Sequence, residues 1–331
     1  MKRMVSVVVP CRNEAGFIGR CLDSLLENDH PPKEILVVDG ESQDGTRDIL
    51  QRYEREYPRL RVLNNTGIIT SKALNKGIQE ARGEYIMIAG AHSVFPKNYI
   101  RGLLDYLDKL EAAGVGGRMI TRANASPAGH SIARVLSNPI GVGNAVFRLR
   151  YHKPVAVDTI PYGIYRREVF RIAGSYDERL VRNQDIEFSK RVLRLVGKLY
   201  LIPAVSCDYH FKGKYRFLAE SSFRNGLWNI LAIYITRRLS SISFRHLVPL
   251  LFLISLLILA ALSVWFSPVF IWPLLFVATA YVVLITITAF RINQRSTSFW
   301  HILWSFVVLH FSYGWGSLLG LFHLGKLVKS R

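Results

Sequence analysis

Residues 4–9 form a compact, β-branched apolar run closed by Pro10, the pattern of a strand buried on both faces. Ile18, Cys21, Leu22 and Leu25 then recur at helical spacing over residues 16–26. A second buried strand is predicted over 34–38, followed by the turn-rich stretch Asp39-Gly40-Glu41-Ser42-Gln43-Asp44-Gly45. A helix over 46–57, a short strand over 60–64, a helix over 71–81 and a strand over 85–88 complete the regular part. Strands alternating with helices imply βαβ units and a mainly parallel sheet. The second half is less periodic. Gly116-Gly117-Arg118 ends a further strand, and residues 133–147 are apolar and glycine-rich. Val157-Asp158-Thr159 and Gly163-Ile164-Tyr165 lead to a helix starting near Arg166.

The pattern changes near residues 209–215. From Leu247 to Phe290 there is no Asp, Glu, Lys or Arg. That is about twice the roughly 20 apolar residues needed to cross the hydrocarbon core. With Ser267 and Pro268 near its middle, the stretch reads as two spans, 247–266 and 269–290, and a third follows over 300–322. The predicted organisation is an α/β domain over 1–212, an interfacial amphipathic helix region over 213–245 and a transmembrane region over 246–331. Gly314, Gly316, Gly320 and Gly325 can either break the third span into a re-entrant piece or pack it closely.

The formal net charge of +19 raises nucleic acid as a partner, but its placement argues for membrane lipid instead. Basic residues crowd before the first span, from Lys212 to Arg245, and after the last, at Lys326, Lys329 and Arg331. Such juxtamembrane clusters attract anionic head groups and mark the cytosolic side. No nucleic-acid motif accompanies them. Met1-Lys2-Arg3 is followed by too short an apolar run for a signal peptide, so the α/β domain is expected to stay cytoplasmic. Cys11, Cys21 and Cys207 have no metal-like spacing and read as reduced thiols.

In mainly parallel sheets, ligands bind beyond the carboxyl ends of the strands. Four polar clusters fall there. Pro10-Cys11-Arg12-Asn13-Glu14 follows the first strand, and Asp39, with Ser42 and Asp44 behind it, ends the second. Gly90-Ala91-His92 follows the fourth, and Arg182-Asn183-Gln184-Asp185 enters a later helix. Each is individually a turn or first-helical-turn feature too. Asp39, fixed at a strand end, suits a base or ribose donor.

The ordered series resembles glycosyltransferase family 2, the inverting transferases of the GT-A fold (a nucleotide-diphospho-sugar transferase fold with a Rossmann-like sheet), over most of residues 4–235. Its nearest likeness is to the succinoglycan-type exopolysaccharide glucosyltransferases. Beyond the four clusters, the residues that carry it are Asp44-Gly45-Thr46, Asn75-Lys76-Gly77, Ala81-Arg82-Gly83-Glu84-Tyr85, Phe95-Pro96, Gly116-Gly117-Arg118, Gly141-Val142-Gly143-Asn144 and Gly163-Ile164-Tyr165-Arg166.

The resemblance implies that Pro10, Arg12, Glu14, Asp39, Asp44, Lys72 and Gly90 bind the nucleotide-sugar, and that Asp185 is the catalytic base. Asn183, Gln184, Arg224 and Trp228 would lie on the acceptor side. It implies a UDP-sugar donor, a divalent cation (Mn2+ or Mg2+), a polyprenyl-linked acceptor, and a multi-pass protein of a bacterial or archaeal inner membrane with its catalytic domain cytoplasmic. The family's acidic triplet is incomplete: Gly90 stands at its first position, leaving His92 as the expected metal ligand, with Asp158, Asp177 and His210 as further candidates. A polyprenyl phosphate acceptor, or a catalytically silent membrane-bound scaffold, are the competing expectations. Oligomeric state leaves no mark in these motifs.

Overall fold

The structure, a computed structural model, describes residues 3–123, 125–143 and 145–329, with side chains as far as Phe322. Asn144 of the glycine-rich motif and the side chains of the basic tail fall outside the described residues. The chain forms two compact units, Met1–Thr121 with Val146–His210, and Arg122–Ala145 with Phe211–Arg331.

The first unit is built on a nine-stranded sheet in the order β3-β2-β1-β4-β8-β6-β9-β5, with β7 paired to β9. Strands β1 (Val5–Cys11), β2 (Glu34–Asp39), β3 (Leu60–Asn64) and β4 (Tyr85–Ile88) pair in parallel, with Val8 opposite Leu36 and Ile88. The connecting helices α1 (Ile18–Leu26), α2 (Thr46–Glu56) and α3 (Thr70–Glu80) stand where the 3.6-residue spacing put them. Val5, Val7, Val8 and Val9 are fully buried, so β1 is covered on both faces, as its uninterrupted apolar run requires.

The other half of the sheet is antiparallel in most of its pairings. β8 (Ile164–Arg166) pairs antiparallel with β4 and with β6 (Gly114–Arg122). β9 (Leu199–His210) pairs antiparallel with β5 (Ser93–Val94) and β7 (Val155–Val157). The strand expected to end near Arg118 runs on to Arg122. α4 (Tyr99–Lys109), α7 (Arg167–Ala173) and α8 (Gln184–Leu195) complete the unit's longer helices. All three cysteines are unpaired and buried, and burial pushes the Cys207 thiol up to about 12.

In the second unit, the apolar, glycine-rich segment forms α5 (Pro127–Val135) and α6 (Pro139–Val142). The Ser126 side chain accepts from the Gly129 N–H to cap α5, and Pro127 occupies its first turn. α9 (Tyr215–Thr236) packs on α12 (Phe299–Lys329), and α5 joins them through Ile132, Val135, Leu218, Ile302 and Phe306. α10 (Val248–Trp265), a Pro268–Phe270 turn and α11 (Ile271–Ile292) form an apolar hairpin.

Three helical stretches are long and apolar enough to cross a membrane: Val248–Trp265, Pro268–Ile292 and Phe299–Phe322. Only 11% and 6% of the first two are buried in the protein, against 39% of the third, so the hairpin presents its side chains to the surroundings on nearly every face. α12 is continuous through Gly314, Gly316 and Gly320, so close packing rather than a break is their use. A Cβ on Gly226 would collide with the Tyr313 carbonyl oxygen, and one on Gly316 with the Phe223 carbonyl oxygen. Bare backbone on both helices lets them approach, and Asn229 donates to the Tyr313 hydroxyl across the seam.

Gly226→Leu is therefore expected to destabilise the protein by about 1–3 kcal/mol or more, the usual cost of overpacking. The apparent melting temperature in detergent checks this, with Gly16→Ala, whose Cβ would meet nothing within 4 Å, as the unaffected control.

Candidate active site

The chain runs from β1 outward through β2 to β3, then crosses back to place β4 on the other side of β1. The carboxyl ends of β1 and β4 therefore flank the point where strand order reverses, the usual ligand crevice of such sheets. Three of the four polar clusters gather on this rim.

After β1 and β2 the two turns lock together. Asn13, in the left-handed region at φ 56°, donates its backbone N–H to Ser42 Oγ at 2.8 Å. Its side-chain oxygen accepts from the Gln43 N–H at 2.8 Å. The Glu14 N–H donates to Thr46 Oγ1 at 2.8 Å, and the Ala15 N–H to Asp44 at 3.2 Å. Asp44 is open to solvent. A little burial works to raise its pKa, but the Thr46 hydroxyl and the Ala15 and Thr46 amides outweigh it and hold the carboxyl below the usual range.

Asp39 is different, since its side chain is only 3% exposed. One oxygen accepts from the Ser42 hydroxyl, the other from Arg47 Nε at 2.8 Å and the Ser42 N–H at 3.2 Å. Its carboxylate thus organises the rim and faces protein donors. Pro10 pairs with Val38 in the sheet ladder, while Arg12 and Lys72 lie exposed with no ion pair among the described residues.

At the β4 end, His92 Nδ1 lies 2.8 Å from Glu14 Oε2, so the structure brings two predicted residues from different strand ends into contact. Phe17 meets the His92 ring edge-on at 5.3 Å, and Tyr209 does so at 6.1 Å. Gly90 has a steric cause: any Cβ there would drive into the Tyr162 ring, with the hydroxyl oxygen 2.6 Å away. Tyr162, at φ 44°, is itself in the left-handed region. The ring occupies the room that an acidic side chain at position 90 would need.

Among the described residues, the side chains at this rim do not by themselves enclose a cation. The triplet supplies one imidazole, its Nδ1 turned to Glu14, and no carboxylate. Among the described residues no three His, Cys, Asp or Glu side chains converge. Asp177 is taken by Arg179 at 2.6 Å, and that hydrogen bond is the main cause holding its carboxyl below the usual range. Asp158 faces Lys190 at 3.6 Å, while His210 stays beside the triplet, its backbone N–H donating to the His92 carbonyl oxygen at 2.9 Å.

Asp185 forms a second cluster, in the first turn of α8 behind Asn183 (φ 60°) and Gln184. Its side chain is exposed at the head of the helix. Desolvation raises its pKa above the ordinary value, against the pull of the Ile186 and Asp185 amides and the Arg182 charge. Below it lie Tyr165, Phe170, Tyr176 and Phe188, packed ring to ring at 4.5–5.7 Å.

Arg224 and Trp228 belong to α9 of the second unit, where Arg224 pairs with Glu220 at 2.7 Å. A shallow hollow of about 890 Å3, lined by Asn75, Arg167, Tyr176 and others, contains none of the predicted site residues. Sequence inspection passed over Phe17, Arg47, Arg148, Tyr162 and Tyr209. The unusual Pro161-Tyr162-Gly163 setting was the one local signal.

Two outcomes follow from this geometry. Gly90→Asp, which would complete the acidic triplet, is expected to lower the melting temperature, and adding Tyr162→Ala should relieve much of that loss. A carboxylate whose pKa rises on folding costs stability above the ordinary value of 3.8, and the cost vanishes as pH falls below it. Asp185→Asn should therefore stabilise the protein near pH 7 by about 1 kcal/mol at most, since solvent screens the charge. Melting curves of the two proteins should converge in acid.

The profile of glycosyl transferase family 2 matches residues 6–172, half of the chain. The chain is 23% identical over 250 residues to the dolichyl N-acetyl-alpha-D-glucosaminyl phosphate 3-beta-D-2,3-diacetamido-2,3-dideoxy-beta-D-glucuronosyltransferase of Methanococcus voltae, covering 70% of this chain and 77% of that protein. It is 27% identical over 215 residues to the succinoglycan biosynthesis protein ExoA of Rhizobium meliloti, covering 63% of each. Its fold is similar to that of the mannosyltransferase PcManGT from Pyrobaculum calidifontis, solved with GDP-Man and Mn2+. The TM-score is 0.62 at 18% identity, over 96% of this chain and 86% of that one. The sheet with its reversal at β1 and β4, the strand-end clusters and the extent of the profile agree, and the chain belongs to glycosyl transferase family 2, as a glycosyltransferase of the GT-A fold.

Proposed function

We propose that this enzyme transfers a hexose, glucose in the first instance, from a UDP-sugar to a saccharide on a polyprenyl carrier at the cytoplasmic face of a membrane, in the assembly of a surface polysaccharide. The observation that carries the proposal is Asp185, a solvent-reachable carboxylate at the head of α8 whose pKa is raised by its surroundings. A base must accept a proton near neutral pH, and a raised carboxyl pKa serves that end.

The acceptor hydroxyl oxygen attacks the anomeric carbon while the bond from that carbon to the diphosphate oxygen breaks. The hydroxyl proton passes to Asp185, and the anomeric centre inverts. The Asn13, Glu14, Ser42, Asp44 and Thr46 turns would hold the nucleotide, with Asp39 fixing their shape rather than reaching out from it. Asn183 and Gln184 would stand beside the acceptor. The mannosyltransferase neighbour is a Mn2+ complex. Among the described residues, His92 and its neighbour Glu14 are the groups nearest the place such an ion would take.

Support for a lipid-linked acceptor comes from the three apolar helices and from the archaeal relative, whose substrate is a dolichyl phosphate sugar. Support for polysaccharide assembly comes from the succinoglycan relative. Three full spans would place the turn after α10 outside and the Arg291–Arg295 region inside, with Arg224 and Trp228 near the head groups.

Turnover by the detergent-solubilised protein, with UDP- and GDP-sugars and a membrane lipid extract as acceptor, tests the proposal. UDP release from one UDP-hexose is expected. Asp185→Asn should lose about 10²–10⁴-fold in turnover while its donor affinity stays within a few-fold. Release of GDP alone would replace the donor, and undiminished turnover by Asp185→Asn would remove the base.

A further inference from the structure

Arg148 is a cation without a counter-charge. It ends the short 3-10 turn Val146–Arg148, and its Nη1 donates to Thr121 Oγ1 at 2.8 Å near the carboxyl end of β6. The guanidinium lies over the Phe147 ring at 5.5 Å and the Tyr209 ring at 5.6 Å. No carboxylate pairs with it among the described residues. Burial works against its charge. A guanidinium set among aromatic rings with one neutral partner is costly unless an anion completes it.

Its position says which anion. Tyr209, the ring beneath Arg148, is also the ring packed edge-on against His92. Tyr162, on the same side of the rim, is the ring that fills the space beside Gly90. Arg148 therefore stands one aromatic ring away from the incomplete triplet. Thr121 engages one of its five N–H groups, and the planar fork that remains matches two phosphate oxygens.

We propose that Arg148 binds the diphosphate of the nucleotide donor directly, taking over the charge neutralisation that a carboxylate-held cation would supply at the triplet. Tyr162 and Gly90 form the other half of the arrangement: the Tyr162 ring excludes an acidic side chain at position 90, while Phe147 and Tyr209 wall the guanidinium. This deepens the donor assignment and rests on it, but its test does not require the donor sugar to be known.

Titration calorimetry of the full-length protein in detergent, with chelator present, would use inorganic pyrophosphate, UDP and uridine as probes. The expected result is metal-free binding of pyrophosphate and UDP, each weakened about tenfold to a hundredfold by Arg148→Gln, with uridine unaffected. Arg148→Lys, which keeps the charge but loses the fork, should fall between, and it carries the test if the Gln variant does not fold. Pyrophosphate affinity equal in wild type and both variants would overturn the inference, as would a requirement for added Mn2+ in wild type. Pyrophosphate binding through Arg148 without binding of any nucleotide would instead sink the donor assignment and leave the anion site standing.

Discussion

Asp39 is a carboxylate almost sealed from water at the end of a buried strand, and the rim around it is arranged to satisfy it. A buried charge must find donors or cost several kcal/mol. Ser42 supplies a hydroxyl and an amide, and Arg47 reaches back from the first turn of α2. Ser42 in turn receives the Asn13 N–H, and Arg47 also reaches Asn64 at 3.3 Å. One carboxylate thereby ties the ends of β1, β2 and β3 into a single polar lattice. Glu14 is carried on that lattice, and its contact with His92 extends it across the point of strand reversal to β4.

On the β4 side, order comes from aromatic packing instead. Tyr162 fills the space beside Gly90, Tyr209 stands between His92 and Arg148, and Phe17 meets His92 edge-on. Rings define the walls while few polar atoms are left to hold a ligand, so each of those few carries more weight. The two halves of the rim thus divide the labour: hydrogen-bonded turns fix the shape on one side, and rings fix the charge on the other.

Much of this was readable from the sequence. β1 to β4 and their helices announced themselves through unbroken apolar runs and 3.6-residue spacing, and the polar residues after each strand marked the rim. β9 did not. Pro203 sits within it, and its last residues are polar, both signs that demote a strand, yet Leu201, Val205 and Cys207 alternate into the core. Asp39 was legible as a rim residue but not as a sealed one, because its partner Arg47 lies beyond a turn whose path only the fold determines. Arg148, Tyr162 and Tyr209 were illegible for a related reason. Arg148 and Tyr162 are single residues in irregular segments and Tyr209 lies near the end of β9, and contacts between distant parts of the chain bring them to one rim.

α5 leaves the middle of the catalytic unit's sequence to pack on α12, and the Ser298 N–H donates to Ser131 Oγ across 167 residues. A ribosome emits α5 well before its partner exists. α9 can cover part of the apolar face of α5 early, but most of it must wait, through synthesis of both hairpin helices, for α12 to appear. Such late closure is slow, because the loop entropy is lost long before the contacts that compensate for it can form. Truncation before α12 would leave α5, an element that belongs in sequence to the other unit, without the helix it mainly packs on.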